Sequence, residues 1–156
     1  MIGNIKIIAV CMCKVYDERN YRIIRALNNF AVENDYRLFV YHTCSDLYWK
    51  TLSEKGEQSV FDLIDYDITD AVVTFEEGVY AENVMTKIRM DAAQYGKPVI
   101  SVGVEHDDCI SIKFGYAKGF EQVVRHVIEQ HGVRDIGFIA GRKDEEHSDR
   151  QALRRL

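Results

Sequence analysis

The sequence predicts an α/β protein built on a doubly wound, mostly parallel sheet of about six strands flanked by helices. Three observations carry this. Short runs rich in isoleucine and valine alternate with amphipathic segments, each strand-plus-helix unit recurring at about thirty residues. The first run, residues 5–13, is apolar at nearly every position, as a strand buried on both faces requires. Two of the amphipathic segments stop at Gly96 and Gly132, residues able to take the left-handed backbone that ends a helix.

Each element follows from its own pattern. After the strand at 5–13 comes a polar stretch, 14–20. A helix then carries Ile23, Ile24, Leu27, Phe30 and Ala31 on one stripe of a 3.6-residue period. Residues 37–42 read as a second strand, followed by a polar loop and a helix bearing Val60, Leu63 and Ile64. Residues 71–75 are a third strand, backed by a helix striped with Val84, Met85, Ile88 and Ala92. Pro98 opens a fourth strand at 99–102, and 110–114 is a fifth. A helix marked by Phe120, Val123, Val124, Val127 and Ile128 leads to a sixth strand at 136–140, which ends at Gly141. The link between Val102 and Ile110 is too short for a crossover helix, so it is expected to be an extended return or a hairpin. Beyond Gly141, residues 142–150 are wholly polar and lead into an apparent new helix. The expected organisation is therefore a first lobe at 1–141, with 142–156 as the crossover into an incomplete second lobe of a longer protein.

Composition narrows the function classes. The chain has 156 residues, 47% hydrophobic and 29% charged, enough for one real core. A net charge of -5 argues against direct nucleic-acid binding, and Arg150, Arg154 and Arg155 read as a solvated helix face. No apolar run approaches the roughly 20 residues that span a bilayer. The N-terminus lacks a secretion-signal pattern, so a cytoplasmic location with no membrane partner is expected. Cys11, Cys13, Cys44 and Cys109 include no C-x-x-C pair and no histidine at zinc spacing, which favours reduced, buried thiols over a redox or metal site.

In an open α/β sheet, ligands bind outside the carboxyl ends of the strands. The loops there, 14–20, 43–49, 76–80, 105–108 and 115–118, hold Tyr16, Tyr48, Trp49, Tyr80 and Tyr116, with Phe75 at a strand end. Asp17, Arg19, Asn20, Asp46 and Glu76 are interleaved with them. Aromatic plates beside fixed polar groups suit sugars or flat heterocycles, although any one of these residues is also ordinary surface. Catalytic signatures are missing. There is no G-x-G-x-x-G, no phosphate-binding G-x-x-x-x-G-K-[ST] and no G-x-S-x-G. Glu76-Glu77 and Asp107-Asp108 are the candidates for a magnesium-dependent or receiver-like site. Asp17, however, lies four residues past Cys13, and Phe75 ends the third strand where a receiver needs an aspartate. His42, His106, His126, His131 and His147 fall on different elements, and the sequence assigns none a nucleophile partner. No enzyme activity, cofactor or metal is expected.

The segments 111–120 (SIKFGYAKGF), 124–128 (VRHVI) and 131–141 (HGVRDIGFIAG) together resemble a known block. It is the strand, D-x-x-x-G turn, H-L-I helix and G-H-x-x-I-x-x-I-x-G run of lactose/galactose-repressor-type sensor domains, which have the type I periplasmic-binding-protein fold. With the units before it, the resemblance covers essentially the whole chain. It implies a small effector, sugar- or purine-like, held between two lobes. It places Tyr16, Arg19 and Asn20 in the first ligand loop and makes Ser148 and Arg150 similar to the family's serine–arginine pair, with Arg154 as the alternative arginine. It also implies a homodimer that reaches DNA only through a headpiece not contained in this sequence. Gly115 stands where the family usually has aspartate. Residues 127–132 (VIEQHG) are similar to a helix end in signalling proteins that carry such a sensor ahead of a GGDEF diguanylate-cyclase domain, an alternative output. The candidate ligand set is Tyr16, Arg19, Asn20, Trp49, Glu76, Tyr116, Ser148 and Arg150.

Overall fold

The structure, a computed structural model, describes residues 5–137. The chain divides into two compact units, Met1–Lys113 and Phe114–Leu156. The first contains β1 (Lys6–Cys13), α1 (Glu18–Glu33), β2 (Tyr36–Thr43), α2 (Leu52–Gln58) with a 3-10 segment at Ser59–Leu63, β3 (Ala71–Phe75), α3 (Glu82–Gln94), β4 (Val99–Val102) and β5 (Ile110–Ile112). All five strands are parallel, in the order β2-β1-β3-β4-β5.

That order dictates where the helices go. The chain steps outward from β1 to β2, then returns past β1 to β3 and continues to β4. With right-handed crossovers, the reversal puts α1 on one face of the sheet and α2 and α3 on the other. Side chains alternate accordingly. Ala9, Cys11, Cys13, Val72 and Val99 share one face, buried with Leu47, Phe61, Ile64, Ala81, Met85, Ile88 and Ala92 from the α2–α3 layer. Val10, Met12 and Val102 alternate to the α1 face. A strand apolar on both sides, as β1 is, belongs in the middle of such a sandwich.

Two details differ from the sequence pattern, and a third decides an alternative it left open. The helix expected to carry Val60, Leu63 and Ile64 begins earlier, as α2, and the stripe falls on the 3-10 segment and its cap. A 3-10 winding repeats every three residues, so Phe61 and Ile64 are buried while Leu63 is 70% exposed. The strand expected at 110–114 stops at Ile112. The link from Val102 to Ile110 is an extended return and not a hairpin, because β5 pairs parallel to β4 with Ile100 opposite Ile110. It closes through Gly103 N–H donating to Ile112 O at 2.8 Å and Ser101 Oγ donating to Val104 O at 2.9 Å.

In the second unit, α4 (Tyr116–His131) ends at Gly132, whose left-handed φ of 63° lets its N–H bond to Ile128 O. Ion pairs from Arg125 to Glu121 and Glu129 brace its polar side. Of the sixth strand, Ile136 and Gly137 are not in regular structure, and 138–140 lie outside the described residues, as does the lobe boundary expected at Gly141. No helix among the described residues is long and apolar enough to cross a membrane.

Candidate functional site

The sheet order locates a switch point between β1 and β3, where the chain on one side runs to α1 and on the other to α3. In an open parallel sheet the loops leaving these strands diverge at such a point, which is where the fold places a crevice. The β1 loop turns at Lys14 (φ 49), whose N–H continues the sheet pattern onto Thr43 O at 2.8 Å. Asn20 Nδ2 donates to both Cys13 O and Lys14 O at 3.0 Å, pinning the strand end to the first turn of α1. Lys14 Nζ reaches Asp46 in the β2 loop at 2.8 Å. That hydrogen bond holds the Asp46 carboxyl below its ordinary range and raises the Lys14 ammonium above its own.

The β2 loop is wound tightly, with Leu47 (φ 63) and Lys50 (φ 54) both left-handed. Leu47 is fully buried in the core, which offsets the steric cost of about 1–2 kcal/mol for that backbone. Beside it Tyr48 meets Trp49 and Tyr80 edge-on, at 4.9 and 5.1 Å between ring centres. Trp49 and Tyr16 project outward, 76% and 77% exposed, and Tyr16 rests its edge on His42 at 5.3 Å.

Strand alternation splits the carboxylates that follow β3. Glu77 turns to the α1 side and pairs with Arg19 at 2.7 Å, so an ion pair crosses the switch-point crevice. Gly103 in the β4–β5 loop backs this pair. Its φ is +100°, and a Cβ there would lie 2.6 Å from Glu77 Cβ, so only glycine allows the approach. Glu76 turns inward, buried. It accepts from Thr74 Oγ1 at 2.8 Å, from Arg89 Nη1 at 2.8 and 3.0 Å, and from His106 Nε2 at 2.8 Å. Arg89 Nη2 also donates to Thr86 Oγ1, while Nε is buried without a hydrogen bond, 3.7 Å from Asp108 Oδ2.

The expected ligand residues therefore have unequal roles. Arg19, in the first turn of α1, pairs with Glu77, and Tyr16 and Trp49 are exposed in the β1 and β2 loops. Asn20 is spent on backbone carbonyls, and Glu76 is an internal counter-ion with no face left for a ligand. Tyr116 belongs to the second unit, its ring beside Phe114 at 5.6 Å. Ser148 and Arg150 lie outside the described residues.

Sequence reasoning missed Arg89, His106 and Gly103. Arg89 carried a signal: it follows Met85 by four and precedes Ala92 by three, a charge on an apolar stripe. Its partner Glu76 is 13 residues away and His106 is 30 from Glu76, so neither pairing shows in local spacing.

Burial pushes the Cys13 thiol up to about 11 and the Cys11 thiol higher still, so both stay protonated and inert at neutral pH. No group of three metal-ligating side chains occurs among the described residues. A groove of about 290 Å³ lies between the α2–3-10 segment and α3, lined by Phe61, Asp62, Tyr66, Lys87 and Asp91. No protein-family model matches the chain, and no curated protein matches it.

Proposed function

We propose that this chain is a lobe of a small-molecule effector-sensing domain from a transcriptional or signalling regulator. A sugar- or nucleoside-like ligand would be held against the carboxyl edge of the sheet, in a cleft that a second lobe completes. The observation that carries the reading is the Arg19–Glu77 pair across the β1/β3 switch point, on the same sheet edge whose β1 and β2 loops expose Tyr16 and Trp49. A guanidinium, a carboxylate and exposed aromatic rings on one edge are the kinds of donor, acceptor and apolar face that a polyol or a nucleoside needs. The resemblance of residues 111–141 to repressor-type sensors supports the same reading and adds a homodimer, with DNA contact or diguanylate-cyclase output assigned to other domains.

A magnesium-dependent or receiver-like enzyme is the competing reading. Glu76 argues against it: the acid that ends β3 is committed to Arg89, Thr74 and His106 and is not open to a metal.

The test is a panel of monosaccharides, nucleosides and amino acids, scored by melting temperature and by fluorescence of Trp49, the single tryptophan. One class is expected to give a saturable fluorescence change and a rise of several degrees, since ligand at about 100 times its Kd adds about 2.7 kcal/mol. Magnesium with acetyl phosphate is expected to change neither signal. A folded protein that answers only to magnesium, or to nothing in the panel, contradicts the reading.

A further inference from the structure

The Glu76 cluster fixes a histidine on the same edge. A carboxylate bound by Arg89 Nη1 and Thr74 Oγ1 accepts hydrogen bonds and donates none, so His106 Nε2, 2.8 Å away, carries the ring proton. In the neutral ring, Nδ1 then keeps its lone pair. Nδ1 makes no hydrogen bond, and among the described residues the buried side-chain polar atom lacking one is Arg89 Nε. Nδ1 is therefore not fully buried, in a side chain that is 16% exposed.

The residue is held from its backbone as well. Its N–H donates to Ser111 Oγ at 3.0 Å, and the same hydroxyl donates back to its carbonyl at 3.3 Å. Gly103, at the start of its loop, packs on Glu77, the partner of Arg19. The β4–β5 return thus brings both Gly103, against Glu77, and His106, against Glu76, to the carboxyl edge.

We propose that His106 is a ligand-contacting, specificity-determining residue of the carboxyl edge. It presents Nδ1 as a pre-oriented acceptor for a hydroxyl or amino donor on the ligand. Glu76 and Arg89 act through it as positioning residues, setting the tautomer and the ring angle. The proposal rests on the sensor reading and specifies one atom of its recognition chemistry: the ligand carries a donor at the group nearest the β4 end.

The experiment uses the chain in two steps. Long-range proton–nitrogen NMR of the histidine rings, at slightly alkaline pH, is expected to show His106 protonated on Nε2 and bare on Nδ1. A ring protonated on Nδ1 alone overturns the proposal.

Next, wild type and His106→Gln are titrated with D-ribose, D-galactose, D-glucose, adenosine and uridine, following Trp49 fluorescence. The glutamine amide nitrogen takes the place of Nε2 and keeps the donor to Glu76, while its acceptor, Oε1, is displaced from the position of Nδ1. The variant is expected to melt close to wild type and to bind the responding compound roughly tenfold more weakly, the loss of one hydrogen bond. Equal affinity in the two proteins overturns the role of His106 while leaving the sensor reading intact. No response from wild type to any of the five, or to any other compound of the wider panel of monosaccharides, nucleosides and amino acids, overturns both. If His106→Gln melts well below wild type, Nδ1 is read instead in the unsubstituted protein, where its nitrogen shift is expected to move on saturation with the responding compound; an unmoved shift overturns the proposal.

Discussion

Glu76 and Arg89 are a buried ion pair, with side chains 7% and 6% exposed at 2.8 Å. Removing one partner strands the other in a low-dielectric site, so Arg89→Leu is expected to cost about 3–5 kcal/mol in urea unfolding. Glu76→Leu together with Arg89→Leu is expected to cost less than the sum of the single changes, because the double variant leaves no bare charge. Additive losses would show that the pair is not coupled. At this scale the sequence was only partly legible. Tyr16 and Trp49 could be placed in strand-end loops because strand ends in an α/β pattern are recognisable, whereas Arg19, read as part of the loop 14–20, lies in the first turn of α1. Glu76 was read as a loop acid because the side chains that claim it come from α3 and from the β4 loop, far along the chain. The Lys14–Asp46 tie has a pH signature. The Asp46 pKa is depressed in the fold, so its contribution is present above the ordinary carboxylate range near pH 4 and is lost as pH falls through the depressed value. Both side chains are about a third exposed, which limits the effect to a few tenths of a kcal/mol. Asp46→Asn is expected to be slightly less stable than wild type at neutral pH and equal to it in strong acid.

Among the elements, α2 is the one whose start has a chemical signature. Thr51 Oγ1 accepts from Glu54 N–H at 3.2 Å, while the Glu54 carboxylate accepts from Thr51 N–H at 3.0 Å, a reciprocal capping box. Thr51→Ala is expected to cost about 1 kcal/mol, measured by thermal or urea unfolding, and a change within error would mean that the box contributes nothing net. The threonine–x–x–glutamate spacing was there to be read. The apolar positions Val60, Leu63 and Ile64 drew attention instead, because their spacing suits an α-helix. The chain tightens to three residues per turn at that point and buries Phe61 with Ile64. Strand β5 shows the same limit. Its apolar run continues to Phe114, yet pairing with β4 spans three residue pairs, and the second compact unit begins at Phe114. The strands β1 to β4 were legible to within a residue because short apolar runs rich in β-branched and aromatic residues, bounded by polar turns, have few other uses.

At the scale of the molecule, one topological fact organises the rest. The order β2-β1-β3-β4-β5 makes the chain reverse direction at β1, and the reversal separates α1 from α3 and opens the crevice that Arg19 and Glu77 bridge. The β4–β5 return, made without a helix, brings Gly103 and His106 to the same edge. Fold class followed from alternation and periodicity, whereas the contents of the edge depend on contacts that only the folded sheet creates. The groove beside α3, lined by Asp62 and Lys87, is the rival concavity, and the two places predict different maps of ligand contact. The decisive measurement is residue-resolved amide NMR of the chain titrated with whichever sugar or nucleoside raises its melting temperature. Shifts concentrated at residues 14–20, 48–50, 76–80 and 103–108 are the predicted result. Shifts confined to the α3 groove, with those four loops silent, would contradict the assignment of the carboxyl edge as the ligand site.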